Sequence, residues 1–274
     1  MLGLIILLAT ALALVLSVLT AIVVRDLRRP PRRTAAFAVA RGLPCDPGEL
    51  DLKFEAWHLT LPDGAILPVW EVTNREAHNP LTAVFVHGWG ESRLHMLSPH
   101  SEWRDDVDRL VFYDLRGHGE ASEHSSQLGR HEERDLLALI ERLGEGRYLF
   151  ITRGIGAAIA MAALLEDDSL RQRTHALLTI DPPKDPRQLV ESHLIRQSLP
   201  IKPLADFALL TLRWLGSEPI AFTQPPRGFP VPVEVVTPDN LEKFAARLTT
   251  DSCTSDDGQT EISHFTARIC PQRG

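Results

Sequence analysis

The segment Thr152-Arg153-Gly154-Ile155-Gly156 joins an apolar run to a helix pattern of small residues. A turn of this kind aims free N–H groups and the partial positive charge of a helix start at whatever lies in front of it, which suits a carboxylate or a phosphate. Arg153 and the backbone N–H of Trp89 could add to such an anion site. The plainer alternative is that Arg153 points away and pairs with one of the many acidic residues. Gly154 and Gly156 also match the first two glycines of a dinucleotide fingerprint, but Ile159 stands where a third small residue belongs, and the unit comes late in the chain. Dinucleotide binding is therefore not expected. Two more glycine loops precede this one, His87-Gly88-Trp89-Gly90 and Asp114-Leu115-Arg116-Gly117-His118-Gly119. The chain has eleven His, none in a helical His-x-x-x-His pair, and Cys45, Cys253 and Cys270 lack ligand spacing. No metal and no cofactor are expected. No sequence context supports Cys253 as a nucleophile.

Three residues further along could take part in proton transfer. Asp239 follows Thr237-Pro238, and reads equally as a turn residue or as an acid. His264 stands in Ile262-Ser263-His264-Phe265, and Asp181 precedes Pro182-Pro183, where capping a strand end is the simpler role. A His–Asp pair can act as a general base on water.

These residues need a frame to hold them. Residues 54–61 alternate apolar and polar side chains, Asp63-Gly64 follows, and residues 66–72 read as a second strand, which together predict a hairpin. Residues 81–86, 110–113, 148–152, 175–180 and 231–236 read as further strands. Residues 131–143 and 156–166 carry apolar or small residues at helical spacing. Buried apolar strands separated by helices predict an α/β fold with a mainly parallel central sheet and helices on both faces. Each glycine loop then falls at the C-terminal end of a strand, where open α/β sheets bind ligands.

Taken in order at those strand ends, the three loops closely resemble the α/β-hydrolase superfamily, with a lean toward its esterase, lysophospholipase and serine-aminopeptidase-like members. The resemblance covers residues 54–265. It implies a Ser nucleophile on a tight strand-to-helix turn, followed later in the chain by an acid and a His. It also implies an oxyanion hole from the N–H groups of Trp89 and Ile155. The family pattern small-x-Ser-x-small meets Thr152 and Gly156 at its ends and Gly154 in the middle. Gly154 has no side chain, so the family's acyl-enzyme route is closed at this position. Glycine does permit the strained dihedrals that such a turn demands. A two-residue shift would offer Thr152 as nucleophile, but would put Phe150 where only a small residue fits. Asp239 and His264 stand where the family's acid and base would stand, with Asp181 a second candidate acid. An insertion at residues 184–227 would form a lid. Its apolar stretch at 204–215, with Phe207 and Trp214, is expected to pack as lid or core rather than to touch a bilayer.

The first part of the chain is different in kind. Residues 2–24 carry no charge and would form a helix of roughly 34 Å, enough for a hydrocarbon core of about 30 Å. No basic residue precedes the run, which favours a retained anchor over a cleaved signal. Arg25, Arg28, Arg29, Arg32 and Arg33 follow it, and basic flanks stay cytoplasmic, so the domain is expected on the cytoplasmic side of a cell membrane that the chain crosses once. The expected division is a transmembrane anchor at 1–24, a basic and Pro-rich linker at 25–50, and an α/β-hydrolase-like domain at 51–270. After Arg33 the chain holds 24 basic and 35 acidic residues, which argues against nucleic acid as a partner.

The resulting expectation is a membrane-anchored, hydrolase-like protein that is catalytically impaired and acts by binding a small-molecule acyl or acidic ligand. One alternative is an active ester or peptide hydrolase that uses a non-standard nucleophile or direct water attack. The other is a non-catalytic membrane scaffold. Apart from the bilayer, the sequence names no partner.

Overall fold

The computed structural model describes residues 1–73, 81–97 and 107–236. Asp239, His264, Cys253 and Cys270 lie outside the described residues. The helix α1 runs over Leu2–Arg28 and α2 over Ala35–Arg41. Strands β1 (Phe54–Thr60), β2 (Ile66–Thr73), β3 (Leu81–Val86) and β4 (Arg109–Tyr113) follow, then α3 (Glu132–Leu143). Next come β5 (Arg147–Arg153), α4 (Ile155–Glu166), α5 (Asp168–Arg173) and β6 (Thr174–Ile180). The described part closes with α6 (Pro186–Arg196), α7 (Leu204–Trp214) and β7 (Val233–Val236).

Among the described residues seven strands form one sheet in the order β1-β2-β4-β3-β5-β6-β7. β1 and β2 pair antiparallel, as do β2 and β4, and the other pairings are parallel. The hairpin between β1 and β2 is closed by Leu61 N–H donating to the Ala65 carbonyl at 2.8 Å, with Gly64 at φ 83 supplying the left-handed residue. Every residue of β3 and of β6 is buried, because α4 packs on one face of the sheet and α2 with the segment from Leu94 to Leu97 lies on the other. α4 is small and apolar on all sides and sinks into the core on one face, with α3 beside it. Phe85, Phe112, Leu149 and Ile151 fill the other face.

The order of the strands fixes where a site can be. The chain leaves β3 toward β4 on one side and returns to β5 on the other. Between the C-terminal ends of β3 and β5 the connections diverge and leave a crevice, which is where such sheets place ligands. The loops beginning at His87 and at Gly154 flank that crevice.

α1 is continuous through Arg28 and is long and apolar enough to cross a membrane. Its C-terminal end is built into the domain. Val23, Val24 and Leu27 are buried in the main core, and α1 packs on α7 and α6. Residues 25–50, expected as a linker, hold α2, a 3-10 turn at Pro47–Leu50 capped by the Asp46 carboxylate, and buried Ala38.

Candidate functional site

β5 ends at Arg153, and α4 begins two residues later. Gly154 makes the turn alone, with φ 52 and ψ −126. Its N–H donates to the Ile180 carbonyl at 2.9 Å, and its own carbonyl accepts from Ala157 N–H at 3.1 Å. It is thus the last rung beside β6 and the first acceptor of α4. Side chains rarely adopt this backbone conformation, so a residue with a Cβ would be strained here. Space is not the constraint, since a Cβ at 154 would meet only Gly88 Cα, at 3.5 Å. Gly156 is glycine for the opposite reason. A Cβ there would lie 2.4 Å from the Val86 carbonyl oxygen and 2.8 Å from that of His87. α4 crosses the end of β3 too closely for any side chain.

The loop after β3 is held by buried hydrogen bonds. His87 Nδ1–H donates to the Gly88 carbonyl at 2.8 Å, and its Nε2 accepts from Leu115 N–H at 3.0 Å. Burial pushes the His87 pKa down to about 3, so the ring is a neutral brace between two loops and not a base. Trp89 turns its indole N–H onto the Leu27 carbonyl at 2.9 Å and meets the His193 ring edge-on at 5.7 Å. The backbone N–H groups of Trp89 and Ile155 donate to no carbonyl among the described residues.

The third loop is also a brace. Asp114 is buried and accepts from Arg93 N–H at 2.7 Å, from the Arg93 guanidinium at 2.9 Å and from Glu120 N–H at 2.9 Å. Burial raises its pKa, and the nearby Arg93 charge opposes that shift. A Cβ on Gly119 would lie 2.3 Å from the Asp114 carboxylate. Arg116 makes two bonds of 2.6 Å to Asp135, tying the loop to α3. His118 is buried, with its pKa lowered to about 3 by burial and by its neighbour His87.

A cavity of about 240 Å³ opens between the loop after β3, the turn at Gly154 and α6. Trp89, Arg153, Gly154 and Ile155 all line it, so four of the residues singled out from sequence come together. Asp181, at φ 49 just past β6, lines it too. Asp239 and His264, the expected acid and base, cannot be placed relative to it, because they lie outside the described residues. Thr152 takes no part. It is buried in β5, and its hydroxyl donates to the Leu178 carbonyl at 3.0 Å.

Two lining residues carry no signal that the sequence reading used. Glu91 folds back so that its carboxylate accepts Gly88 N–H at 3.0 Å and faces Arg153 Nε at 3.5 Å. Arg153 therefore pairs with an acidic residue, yet stays at the cavity wall. The signal available was the spacing, since a Glu three residues past a glycine can reach back to its N–H. Ser192, on α6, brings the cavity's one hydroxyl among the described residues. No imidazole or carboxylate among them bonds it, and a Ser without such a partner is a weak nucleophile. Among the described residues no group of His, Cys, Asp or Glu could hold a metal.

Crystal structures of one esterase share this architecture. An esterase of Pyrococcus furiosus is 19% identical, with 81% of this chain and 84% of that one aligned at a TM-score of 0.56. Another crystal form of that esterase gives 16% identity, 81% and 94% coverage, and a TM-score of 0.54. An epoxide hydrolase of Vigna radiata is 24% identical over 48% of this chain and 39% of its own, at a TM-score of 0.40. No curated protein sequence matches the chain. The model of the alpha/beta hydrolase family matches residues 83–267, from β3 through the glycine loops and beyond, and the chain belongs to that family.

Proposed function

We propose that the chain is a membrane-anchored member of the family in which Gly154 occupies the nucleophile position, so that acyl transfer is silenced and the crevice works by binding. One observation carries this reading. At the strand-to-helix turn, where the backbone is bent to φ 52 and ψ −126 and a side chain would have room, the residue has none. Thr152, the nearest hydroxyl in the chain, is spent on a strand carbonyl.

The crevice favours an uncharged acyl group over an acid. Its wall includes Ile155, Leu189 and Ile220, and its two lining cations are both engaged, Arg153 facing Glu91 and Arg196 lying over the Trp89 ring. An incoming carboxylate would have to displace Glu91 or sit against it. Trp89 and Ile155 N–H would then hold a carbonyl oxygen, with Asp239 and His264 as the remnant acid and base. The anchor is α1, with the domain on the cytoplasmic side by the Arg residues that follow the apolar run. The proposed division is an anchor at 1–24, a connecting segment at 25–50 and the α/β domain at 51–270, its lid at 184–227.

A fluorophosphonate probe on the unmodified full chain tests the silencing, and the expected result is no labelling. Labelling lost in Ser192→Ala would instead identify an active hydrolase with a displaced nucleophile. Thermal stabilisation by fatty amides and esters, compared with the matching acids, tests the binding. No stabilisation by any of them would leave only a scaffold role.

A further inference from the structure

We infer that α7 is a second membrane contact, its outer face immersed at the headgroup and acyl boundary beside α1. The inference rests on α1 being the membrane anchor.

The first argument is one of length. A span needs about 20 residues to cross about 30 Å of hydrocarbon. On α1, residues 2–15 are exposed throughout, which at about 1.5 Å per residue gives a free length of about 21 Å. That is about 9 Å short, or about six more residues. Those next residues are already in contact with the domain: Leu16 and Leu19 are half-buried and Thr20 is buried. A spanning α1 therefore draws into the membrane the same segment that carries the domain. The elements packed on α1 are α7 and, to a lesser extent, α6. They must lie at the bilayer surface or slightly within it.

The second argument is the face that α7 presents. Leu204, Ala205, Ala208 and Leu212 are buried against the domain. The opposite side carries Phe207, Leu210 and Trp214, which are 44%, 65% and 84% exposed. Positions i, i+3 and i+7 form one stripe on a helix. In water this stripe would be an unusually costly place for a Trp, a Leu and a Phe. At a membrane interface it is where such residues accumulate. Arg213 on α7, Arg25 on α1 and Arg29 just past its end are exposed, and cations beside an apolar helix face suit phosphate headgroups. Thr211 and Leu215 share a crevice with Ala21, Val24 and Arg25, so the C-terminal end of α7 adjoins the anchor. The sequence alone favoured lid or core packing for this helix. The structure gives it one buried face and one apolar face without a protein partner among the described residues.

The test uses the full chain with Cys45, Cys253 and Cys270 replaced by Ser, reconstituted in vesicles of phosphatidylcholine and phosphatidylglycerol. Single nitroxide labels are placed by Leu8→Cys on the anchor, Leu210→Cys on α7 and Glu141→Cys on exposed α3. Oxygen concentrates in lipid and a nickel chelate stays in water, so their relative access reports depth. Labels at 8 and 210 are expected to be accessible to oxygen and shielded from nickel, and the label at 141 the reverse. A lipid-like label at 8 with a water-like label at 210 overturns the second contact and leaves the anchor intact. A water-like label at 8 overturns both. A label at 210 shielded from both reagents, or broadened by a second label, means that protein covers the stripe, whether the C-terminal segment or another copy. That result also refutes the inference.

Discussion

Replacing Gly154 by Ser asks both a structural and a chemical question. The new Cβ meets Gly88 Cα at 3.5 Å, an ordinary contact, so steric crowding contributes little. The cost comes from φ 52, a conformation that carries about 1–3 kcal/mol for a residue with a side chain. Each kcal/mol moves the melting temperature of a domain of this size by about 2–4 °C. The variant should therefore melt about 2–12 °C below the parent. Gly154→Ala should fall by the same amount, because the strain belongs to the Cβ and not to the hydroxyl. The two variants then part in chemistry. Only Ser places an oxygen at the start of α4, beside the N–H groups of Ile155 and Trp89. With p-nitrophenyl acetate or butyrate, the Ser variant should release a burst of nitrophenol approaching one per chain, and the Ala variant none. Adding His264→Ala to Gly154→Ser should abolish the burst. A Ser variant that melts with the parent refutes the strained turn. A Ser variant no more reactive than Ala refutes the view that this single vacancy silences the chain.

Other perturbations bear on the frame around the site. Thr152→Val removes a buried hydroxyl bonded to the Leu178 carbonyl; about 1 kcal/mol of stability should be lost, with ligand-induced stabilisation unchanged, as denaturant unfolding can check. Asp114→Asn takes one of two carboxylates from the buried Arg93 guanidinium, which keeps Glu120, and should cost about 1–3 kcal/mol by the same measurement. His87 and His118 are held neutral, with pKa values lowered from 6.5 to about 3. The unfolded chain takes up their protons first, so stability should be full above pH 6.5 and fall from there toward pH 3, by up to about 1.4 kcal/mol per pH unit for each ring. A melting temperature flat across that window would contradict their burial. Glu91→Gln should release Arg153, so that stabilisation by short carboxylic acids, weak in the parent, becomes measurable by thermal shift.

What the sequence disclosed follows from how each feature is encoded. β3, β5 and β6 are short apolar runs bounded by turns, because a parallel sheet covered on both faces needs nothing else, and they fall within a residue of the expected ends. The loop from 152 to 156 was legible because Gly156 is imposed by contact with β3 and Gly154 by a positive φ. Short helices escaped the reading. α5 rests on the Asp167 cap bonding Leu170 N–H, and α6 on the Asp185 cap with Pro186 in its first turn. Both are signals of one or two residues with little apolar periodicity to support them. Glu91 escaped because its role is a return contact across a loop, which no period records. For α7 the difficulty is deeper. Hydrophobicity marks a face that avoids water, and it cannot distinguish a face covered by protein from one covered by lipid.

The loops that carry the family resemblance are held by packing and buried hydrogen bonds rather than by chemistry. Gly156 is fixed by the carbonyls of Val86 and His87, and Gly119 by the Asp114 carboxylate. His87 and Asp114 each bind a backbone N–H of another loop, those of Leu115 and Arg93. None of these contacts involves a reacting atom, and each would cost stability if lost whether or not the crevice performs acyl transfer. A chain could therefore exchange a side-chain residue at 154 for glycine without loosening the frame, since of these three positions only 154 has room for a Cβ, which would meet Gly88 Cα at 3.5 Å. The motifs most useful for assigning the fold are thus the ones least informative about turnover. On the function proposed above, turnover would rest on residue 154, on the N–H groups of Trp89 and Ile155, and on Asp239 and His264, and an assay of Gly154→Ser addresses all five together.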